Sequence, residues 1–212
     1  MRYQHIIWDW NGTLLDDAQA GLNAVNTMLV ARALPCIDMH RYRECFGFPV
    51  KDFYRDIGFC LECEDWDAMA HEYHDLFLSD RSLQLHERVV EILEHVRYQG
   101  LAQSVLSASE QTMLTEMLDT FGIAHFFENI RGTDNLYGYS KRELGVELLA
   151  GLTSSPCHVL MIGDSLHDRE VADVLGIDCV LIAQGHQSFT RLAVGQNVVL
   201  NRIDDLMGWL NM

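Results

Sequence analysis

The sequence predicts an α/β protein with a doubly wound, Rossmann-like parallel sheet and an inserted α-helical cap domain. Two observations carry this prediction. Over residues 82–212, apolar runs alternate with amphipathic stretches, as is typical of a parallel sheet covered by helices on both faces. Over residues 17–81, helical periodicity dominates and no convincing strand interrupts it. We therefore expect an α/β core of residues 1–16 and 82–212, and a helical cap of residues 17–81.

The elements follow in a simple order. The first strand is predicted over residues 4–9, because its residues are β-branched and aromatic. Helices are predicted in the cap over 18–33, 52–57 and 66–78, and at the return to the core over 88–99. Further strands are expected over 101–107, 126–130, 157–162, 178–182 and 198–200. The helices between and after them are expected over 110–121, 141–149, 168–175 and 204–210.

Composition and charge limit the kind of partner. The chain has 212 residues and a formal net charge of −16, so its surface repels nucleic acids. No apolar run approaches the roughly 20 residues that cross a bilayer, and the N-terminus lacks the layout of a signal peptide. Six scattered cysteines predict reduced thiols. We expect a cytoplasmic protein that binds a small molecule and neither nucleic acid nor a membrane; the oligomeric state cannot be predicted.

Polar residues stand where several predicted strands end. Asp9 ends the first strand, Ser107 ends the second, and Asp164 follows the strand over 157–162, with Asp168 four residues later. Lys141 opens a helix. Ligands of open parallel sheets bind outside the carboxyl ends of the strands, so these side chains should converge. Each residue alone is as compatible with a helix cap or a turn, and only their joint occurrence indicates a site.

Two motifs are specific in combination, DWNGT at residues 9–13 and GDSLHD at residues 163–168. Together with Ser107 and Lys141, they occur in the order found in the haloacid dehalogenase-like hydrolases. The chain resembles in particular the phosphoglycolate-phosphatase-like members with a helical cap, and the resemblance covers nearly its whole length. It implies Mg²⁺-dependent hydrolysis of a small phosphomonoester, in which an aspartate carboxylate accepts the phosphoryl group.

The resemblance also implies a role for each residue. Asp9 would be the nucleophile, and Lys141 would keep it ionised. The expected Mg²⁺ ligands are Asp9, Asp164, Asp168 and the backbone carbonyl of Asn11, in keeping with the preference of Mg²⁺ for oxygen. The expected phosphoryl-binding residues are Gly12, Ser107, Ala108 and Lys141. From the cap, Phe48 and Lys51 are expected to contact the substrate.

Asn11 departs from the family pattern. Most phosphatases of this family have an aspartate there, which acts as general acid and base, whereas an amide cannot exchange a proton near neutral pH. General acid–base catalysis is typically worth about 10²–10⁴-fold in rate. The enzyme is therefore slow, or its leaving group needs little protonation, or another group substitutes; Asp16, Asp17 and His167 are near the motifs in sequence.

Two other functions stay open. Phosphonoacetaldehyde hydrolases resemble this chain in having a tryptophan after the nucleophile and no acid two places on, and they form an imine on a cap lysine, for which Lys51 is the candidate. Alternatively, the protein binds a phosphorylated ligand without turnover. The cap also contains Cys60 and Cys63 followed by His71 and His74, but this spacing fits no zinc-finger pattern.

Overall fold

A computed structural model describes residues 2–137, 141–195 and 197–210. Its strands are β1 (His5–Trp8), β2 (Leu15–Asp16), β3 (Gln84–Leu85), β4 (Ala102–Glu110), β5 (Asn129–Thr133), β6 (Val159–Gly163), β7 (Asp178–Ile182) and β8 (Val198–Leu200). Its α-helices are α1 (Ala18–Ala31), α2 (Met39–Cys45), α3 (Val50–Asp56), α4 (Trp66–Ser79), α5 (Val89–Tyr98), α6 (Gln111–Thr120), α7 (Arg142–Gly151), α8 (Leu166–Leu175), α9 (Phe189–Leu192) and α10 (Asp205–Leu210). Short 3₁₀ turns cover Ala124–Phe126 and Pro156–His158.

Six strands form one parallel sheet in the order β5-β4-β1-β6-β7-β8. The central strand β1 pairs with β4 on one side and β6 on the other, so that His5 lies beside both Ala102 and Val159. Chain order reverses at β1, and the carboxyl ends of β1, β4 and β6 meet at one edge of the sheet. The predicted doubly wound parallel sheet is confirmed.

Both faces of this sheet are covered. Side chains alternate along β1: Ile6 and Trp8 belong to one apolar cluster, and Ile7 belongs to the cluster on the opposite face. Helices α5, α6 and α10 contribute to the first cluster, and α7 and α8 contribute to the second. Because every residue of β1 and β6 is buried, their ends are rigid supports for a site.

Helices α1 to α4 form the cap, which has an apolar cluster of its own. This cluster includes Val25, Met28, Tyr42, Phe53 and Met69. The antiparallel ribbon of β2 and β3, in which Leu15 pairs with Leu85, joins the cap to the core. The division into residues 1–16 plus 82–212 and residues 17–81 stays a prediction. Strand β2 ends just before the first of these boundaries, and β3 begins shortly after the second.

Several expectations differ from the structure. The third strand of the sheet begins at Asn129 rather than at residue 126, because Phe126 anchors a 3₁₀ turn in the core. Helices α2 and α9 and the two strands of the ribbon were not predicted. The second strand of the sheet runs to Glu110 rather than ending at residue 107, so Ser107 lies within β4. The expectation of six reduced cysteines is wrong, since Cys60 and Cys63 form a disulfide within a turn in which the Cys63 amide donates to the Cys60 carbonyl. In the described ranges, no helix combines the length and apolar character needed to cross a membrane.

Candidate active site

The carboxyl ends of β1 and β6 bring three aspartates together. Asp9 directly follows β1, and its amide donates to the carbonyl of Ile162, 2.8 Å away in β6. Asp164 directly follows β6, and Asp168 lies in the first turn of α8. Each of the three offers a carboxylate oxygen, and these oxygens lie within 4.8 Å of one another. The sequence motifs at residues 9–13 and 163–168 therefore meet in space.

Two glycines close tightly around Asp164. A Cβ atom at Gly12 or at Gly185 would lie 2.2 Å from its Oδ2 atom, and Gly12 also has a positive φ of 74°. The amide of His186 donates a hydrogen bond to the same oxygen. The loops after β1 and β7 thus fix this carboxylate, and any side chain at residue 12 or 185 would displace it.

Lys141 joins the carboxylates. Its side chain is 3% exposed, and its ammonium group forms ion pairs with Asp9 Oδ1 and with Asp168 Oδ1, the latter at 2.7 Å. It also donates to the carbonyl of Leu106 at 3.1 Å. Burial lowers the pKa of Lys141, but the two carboxylates outweigh burial and raise that pKa above its ordinary value. The lysine is therefore a fixed cation beneath Asp9.

Asp168 organises the loop between β6 and α8. Its Oδ2 atom accepts hydrogen bonds from the amides of Asp164 and Ser165 at 3.2 and 3.0 Å, and from the Ser165 hydroxyl at 2.7 Å. This is a capping box at the start of α8. Burial raises the pKa of Asp168, but Lys141 and Ser165 lower it below its ordinary value overall. Asp168 therefore positions both Lys141 and Asp164.

Asn11 is held at both ends of its amide group. Its Nδ2 atom donates to Asp17 Oδ2 at 2.6 Å, and its Oδ1 atom accepts from the Ser109 hydroxyl at 2.6 Å. Asp17 is buried, and its Oδ1 atom accepts from the amide of Gly12 at 2.7 Å. A carboxylate at residue 11 would stand directly against that of Asp17. The amide at residue 11 is thus the partner that Asp17 requires.

His186 is a site residue that the sequence analysis missed. Its Nε2 atom lies 3.2 Å from Asp17 Oδ1, and its Nδ1 atom lies 3.0 Å from the hydroxyl of Tyr42 in the cap. Burial lowers the pKa of His186, but Asp17 outweighs burial, and the pKa is raised to about 9. The sequence does contain an indication that His186 belongs to the site, because it follows a predicted strand whose carboxyl end lies at the same edge of the sheet.

The charges at this edge do not balance without a further cation. Four buried carboxylates and two buried cations meet here: Asp9, Asp17, Asp164, Asp168, Lys141 and His186. Burial raises the pKa of Asp9 to about 6, against the lowering effect of Lys141, and raises the pKa of Asp164 far above its ordinary value. A divalent cation would offset the remaining charge, and clustered carboxylate oxygens are the ligands that Mg²⁺ prefers. The residues fit such an ion.

A cavity of about 130 Å³ lies above Asp9, between the core and the cap. The described residues that line it on the core side include Asn11, Ser107, Ala108, Lys141 and Asp164. From the cap, Phe48 lines the cavity as well. The structure does not bring Lys51 to it: the ammonium group lies 4.8 Å from the ring centroid of Trp66, and Lys51 is outside the described lining.

The three candidate substitutes for the missing acid are separated by the structure. Asp17 contacts the Asn11 side chain. The Asp16 side chain is 42% exposed and lies 3.9 Å from a nitrogen of His86, in the ribbon. His167 stacks on Phe48 with ring centroids 4.5 Å apart and is not among the described residues that line the cavity. Of the three candidates, Asp17 is therefore the one whose side chain contacts Asn11 in the described structure.

Comparison with known proteins assigns the chain to a family. A family model for the haloacid dehalogenase-like hydrolases matches residues 6–182, and the chain belongs to this family. It is 25% identical over 209 residues to a phosphoglycolate phosphatase of Caulobacter vibrioides, covering 95% of this chain and 88% of that one. It is 29% identical over 204 residues to a 5'-nucleotidase of Pseudomonas aeruginosa, covering 92% and 90%.

The fold is shared with solved structures. A crystal structure of a predicted phosphatase from Clostridium acetobutylicum superposes with a TM-score of 0.82 and 20% identity, over 100% of both chains. The predictions of a hydrolase of the phosphatase type, and of a likeness to phosphoglycolate phosphatases, are confirmed.

Proposed function

We propose that this protein is a Mg²⁺-dependent hydrolase of a small phosphomonoester, with Asp9 as the nucleophile. One observation carries the proposal: Asp9 faces the cavity between core and cap, in contact with Lys141 and within a shared ligand distance of Asp164 and Asp168. The similarity to a phosphoglycolate phosphatase and a 5'-nucleotidase supports phosphoester hydrolysis.

Hydrolysis would proceed in two displacements. An Asp9 carboxylate oxygen attacks phosphorus, and the bond to the leaving oxygen breaks. Water then attacks the aspartyl-phosphate, releases inorganic phosphate and restores Asp9. Bound Mg²⁺ would neutralise phosphoryl charge, held by Asp9, Asp164 and Asp168, with the Asn11 carbonyl as a further ligand. Gly12, Ser107 and Ala108 are the proposed phosphoryl-binding residues.

Lys141 serves both steps. The pKa of Asp9 is already raised by burial, and the contact with Lys141 opposes that rise. The ammonium group thereby favours the ionised nucleophile before the first displacement. In the second displacement it stabilises the same carboxylate as the leaving group. Asn11 takes no part in proton transfer and instead fixes the loop that carries Gly12.

The alternative functions have less support. An imine mechanism needs a lysine at the cavity, and the ammonium group of Lys51 lies over Trp66. A protein that binds a phosphorylated ligand without turnover would have the same carboxylates, so only an assay separates it from an enzyme. The cytoplasmic location stays a prediction from the sequence.

The proposal is tested by phosphate release from acetyl phosphate and p-nitrophenyl phosphate, measured with Mg²⁺ and with EDTA. We expect release from the wild-type protein with Mg²⁺, and at least about 10³-fold less from Asp9→Asn. Lys51→Met is the matched control and should retain turnover. Phosphate binding without release from either ester would favour the non-catalytic alternative and contradict the proposal.

A further inference from the structure

The cap side of the active-site cavity is a wall of aromatic rings. The rings that line it from the cap include those of Phe46, Phe48, Phe53, Tyr54, Trp66 and Phe77, and the hydroxyl-bearing rings of Tyr42 and Tyr73 line it as well. They pack edge to face: the centroids of Phe46 and Phe53 are 5.4 Å apart at 68°, and those of Tyr54 and Trp66 are 5.6 Å apart at 83°. Aromatic rings attract one another in these arrangements, so such a wall favours a further ring.

Among the described residues that line the cavity, none offers a cation to a charged leaving group. His74 lines it, but its Nδ1 atom bonds the Ala70 carbonyl at 2.7 Å, and burial lowers its pKa, which favours the neutral ring. Lys141 is the one lysine or arginine among the described residues that line it, and its ammonium group contacts Asp9, Asp168 and the Leu106 carbonyl. Both ring nitrogens of His186 are already engaged, one with Asp17 and the other with the Tyr42 hydroxyl. Burying a carboxylate or second phosphate here without a partner would cost several kcal/mol. The leaving group should therefore carry no charged substituent.

The size of the cavity sets a further limit. Its volume is about 130 Å³. An apolar cavity of about 150 Å³ accommodates benzene in another protein. The leaving group is therefore expected to be no larger than one ring.

Asn11 gives an independent indication about the leaving oxygen. Its Nδ2 atom donates to Asp17, and its Oδ1 atom accepts from Ser109, so it has no proton to supply. An aliphatic alcohol has a pKa close to that of water and far above that of a phenol, so its alkoxide departs with difficulty unless it is protonated. A phenol has a pKa of about 10, so a phenolate departs without a proton donor. Residue 11 thus favours an aryl ester.

We propose that the substrate class is the phosphate monoester of a single-ring, uncharged phenol. This inference rests on the proposed function and narrows its substrate. In the reaction, the bond between phosphorus and the phenolic oxygen breaks, and its electron pair leaves with the phenolate while Asp9 binds phosphorus. Water then displaces Asp9 from phosphorus. One proton of that water stays on the phosphate, and the other reaches the phenolate through solvent.

Three esters distinguish the effects of the ring, of a charged substituent and of the leaving oxygen on turnover. Acetyl phosphate is the reference for phosphatase activity. Phenyl phosphate has the proposed features, 4-carboxyphenyl phosphate adds a charge, and benzyl phosphate keeps the ring but leaves as an aliphatic alkoxide. We expect kcat/KM for phenyl phosphate to exceed that for benzyl phosphate by about 10²-fold. It should exceed that for 4-carboxyphenyl phosphate by about tenfold or more. 2-Phosphoglycolate, with its carboxylate, should also be a poor substrate.

Two variants link the preference to the cavity. Phe48→Arg places a cation in the wall at a half-buried residue, and it should raise the ratio of 4-carboxyphenyl to phenyl turnover about tenfold. Phe189→Ala is the matched control, because Phe189 is 45% exposed and outside the described lining, and it should leave the ratio unchanged.

The outcomes distinguish this inference from the proposed function. If 2-phosphoglycolate or 4-carboxyphenyl phosphate reacts as fast as phenyl phosphate, or if benzyl phosphate does, the inference is wrong while phosphatase activity stands. If acetyl phosphate and every ester fail, the proposed function fails and the inference fails with it. An unchanged ratio in Phe48→Arg would contradict the contact between this wall and the leaving group.

Discussion

Replacing Lys141 by methionine tests the electrostatics of the candidate site. Methionine keeps the length of the side chain but removes the ammonium group, which contacts Asp9, Asp168 and the Leu106 carbonyl in a position that is 3% exposed. Removing one partner of a buried ion pair leaves the other charge buried and typically lowers the free energy of unfolding by about 3–5 kcal/mol. We expect a loss of this size in metal-free protein at pH 7.5.

The size of this loss should depend on pH, and the titration of Asp9 determines whether the loss grows or shrinks as the pH rises. Its pKa is about 6 in the folded protein and 3.8 ordinarily, so the folded state binds the extra proton and stability falls as pH rises from about 4 to 6. In Lys141→Met the pKa of Asp9 rises further, so the free energy of unfolding of that variant continues to fall above pH 6. The 1.5 pH units between 6 and 7.5 correspond to about 2 kcal/mol. The loss at pH 5 should therefore be about 2 kcal/mol smaller than at pH 7.5.

Urea unfolding in EDTA, followed by the fluorescence of the four tryptophans, measures both values. Arg142→Met is the control, because Arg142 is the adjacent residue and pairs with Glu170 at 2.7 Å while its side chain is 44% exposed. Such a surface pair contributes under about 1 kcal/mol. A loss below about 1 kcal/mol in Lys141→Met, or an equal loss at the two pH values, would refute the reasoning.

Three further predictions concern contacts around the cavity. Asn11→Asp alone should lower the free energy of unfolding by about 1–3 kcal/mol, because it sets two carboxylates against each other. Asn11→Asp with Asp17→Asn restores one acid and one amide but removes the ion pair with His186, so the double variant should regain part of that stability in urea. It should hydrolyse benzyl phosphate about 10²-fold faster than wild type, and equal rates would contradict a missing acid. Arg191→Ala removes hydrogen bonds to cap carbonyls and should raise KM for p-nitrophenyl phosphate about tenfold with a smaller change in kcat; an unchanged KM would show that these bonds do not hold the cap. Tyr42→Phe removes the hydrogen bond to His186 and should lower the free energy of unfolding in urea by about 1 kcal/mol, and no loss would contradict that bond.

The parts of the site that could be predicted are those that strand ends determine. Asp9 and Asp164 follow buried strands with strong β-branched and aromatic character, and parallel strands present their carboxyl ends at one edge. Ser107 lies near the carboxyl end of β4, and Lys141 is the N-cap residue of α7; both line the cavity. Their roles stay predictions, since geometry shows proximity and not turnover.

The network around Asn11 could not be predicted, because its contacts join distant segments. Asp17 follows a ribbon strand of two residues, which is too short to recognise from periodicity, and it meets His186 from the loop after β7. The direction of Lys51 was equally hidden: helical spacing gives the face of a helix, but the packing of Trp66 decides where the ammonium group lies. The turn that joins Cys60 to Cys63 likewise has no periodic pattern.

The reaction of Asp9 with a phosphoryl mimic tests the account most directly. A crystal structure of the protein grown with beryllium fluoride and Mg²⁺ would show which carboxylate binds the mimic and which residues hold the ion. We predict a beryllofluoride group on Asp9 and a Mg²⁺ ion that contacts both Asp9 and Asp164. An adduct on another side chain, or an ion bound away from these two carboxylates, would contradict it.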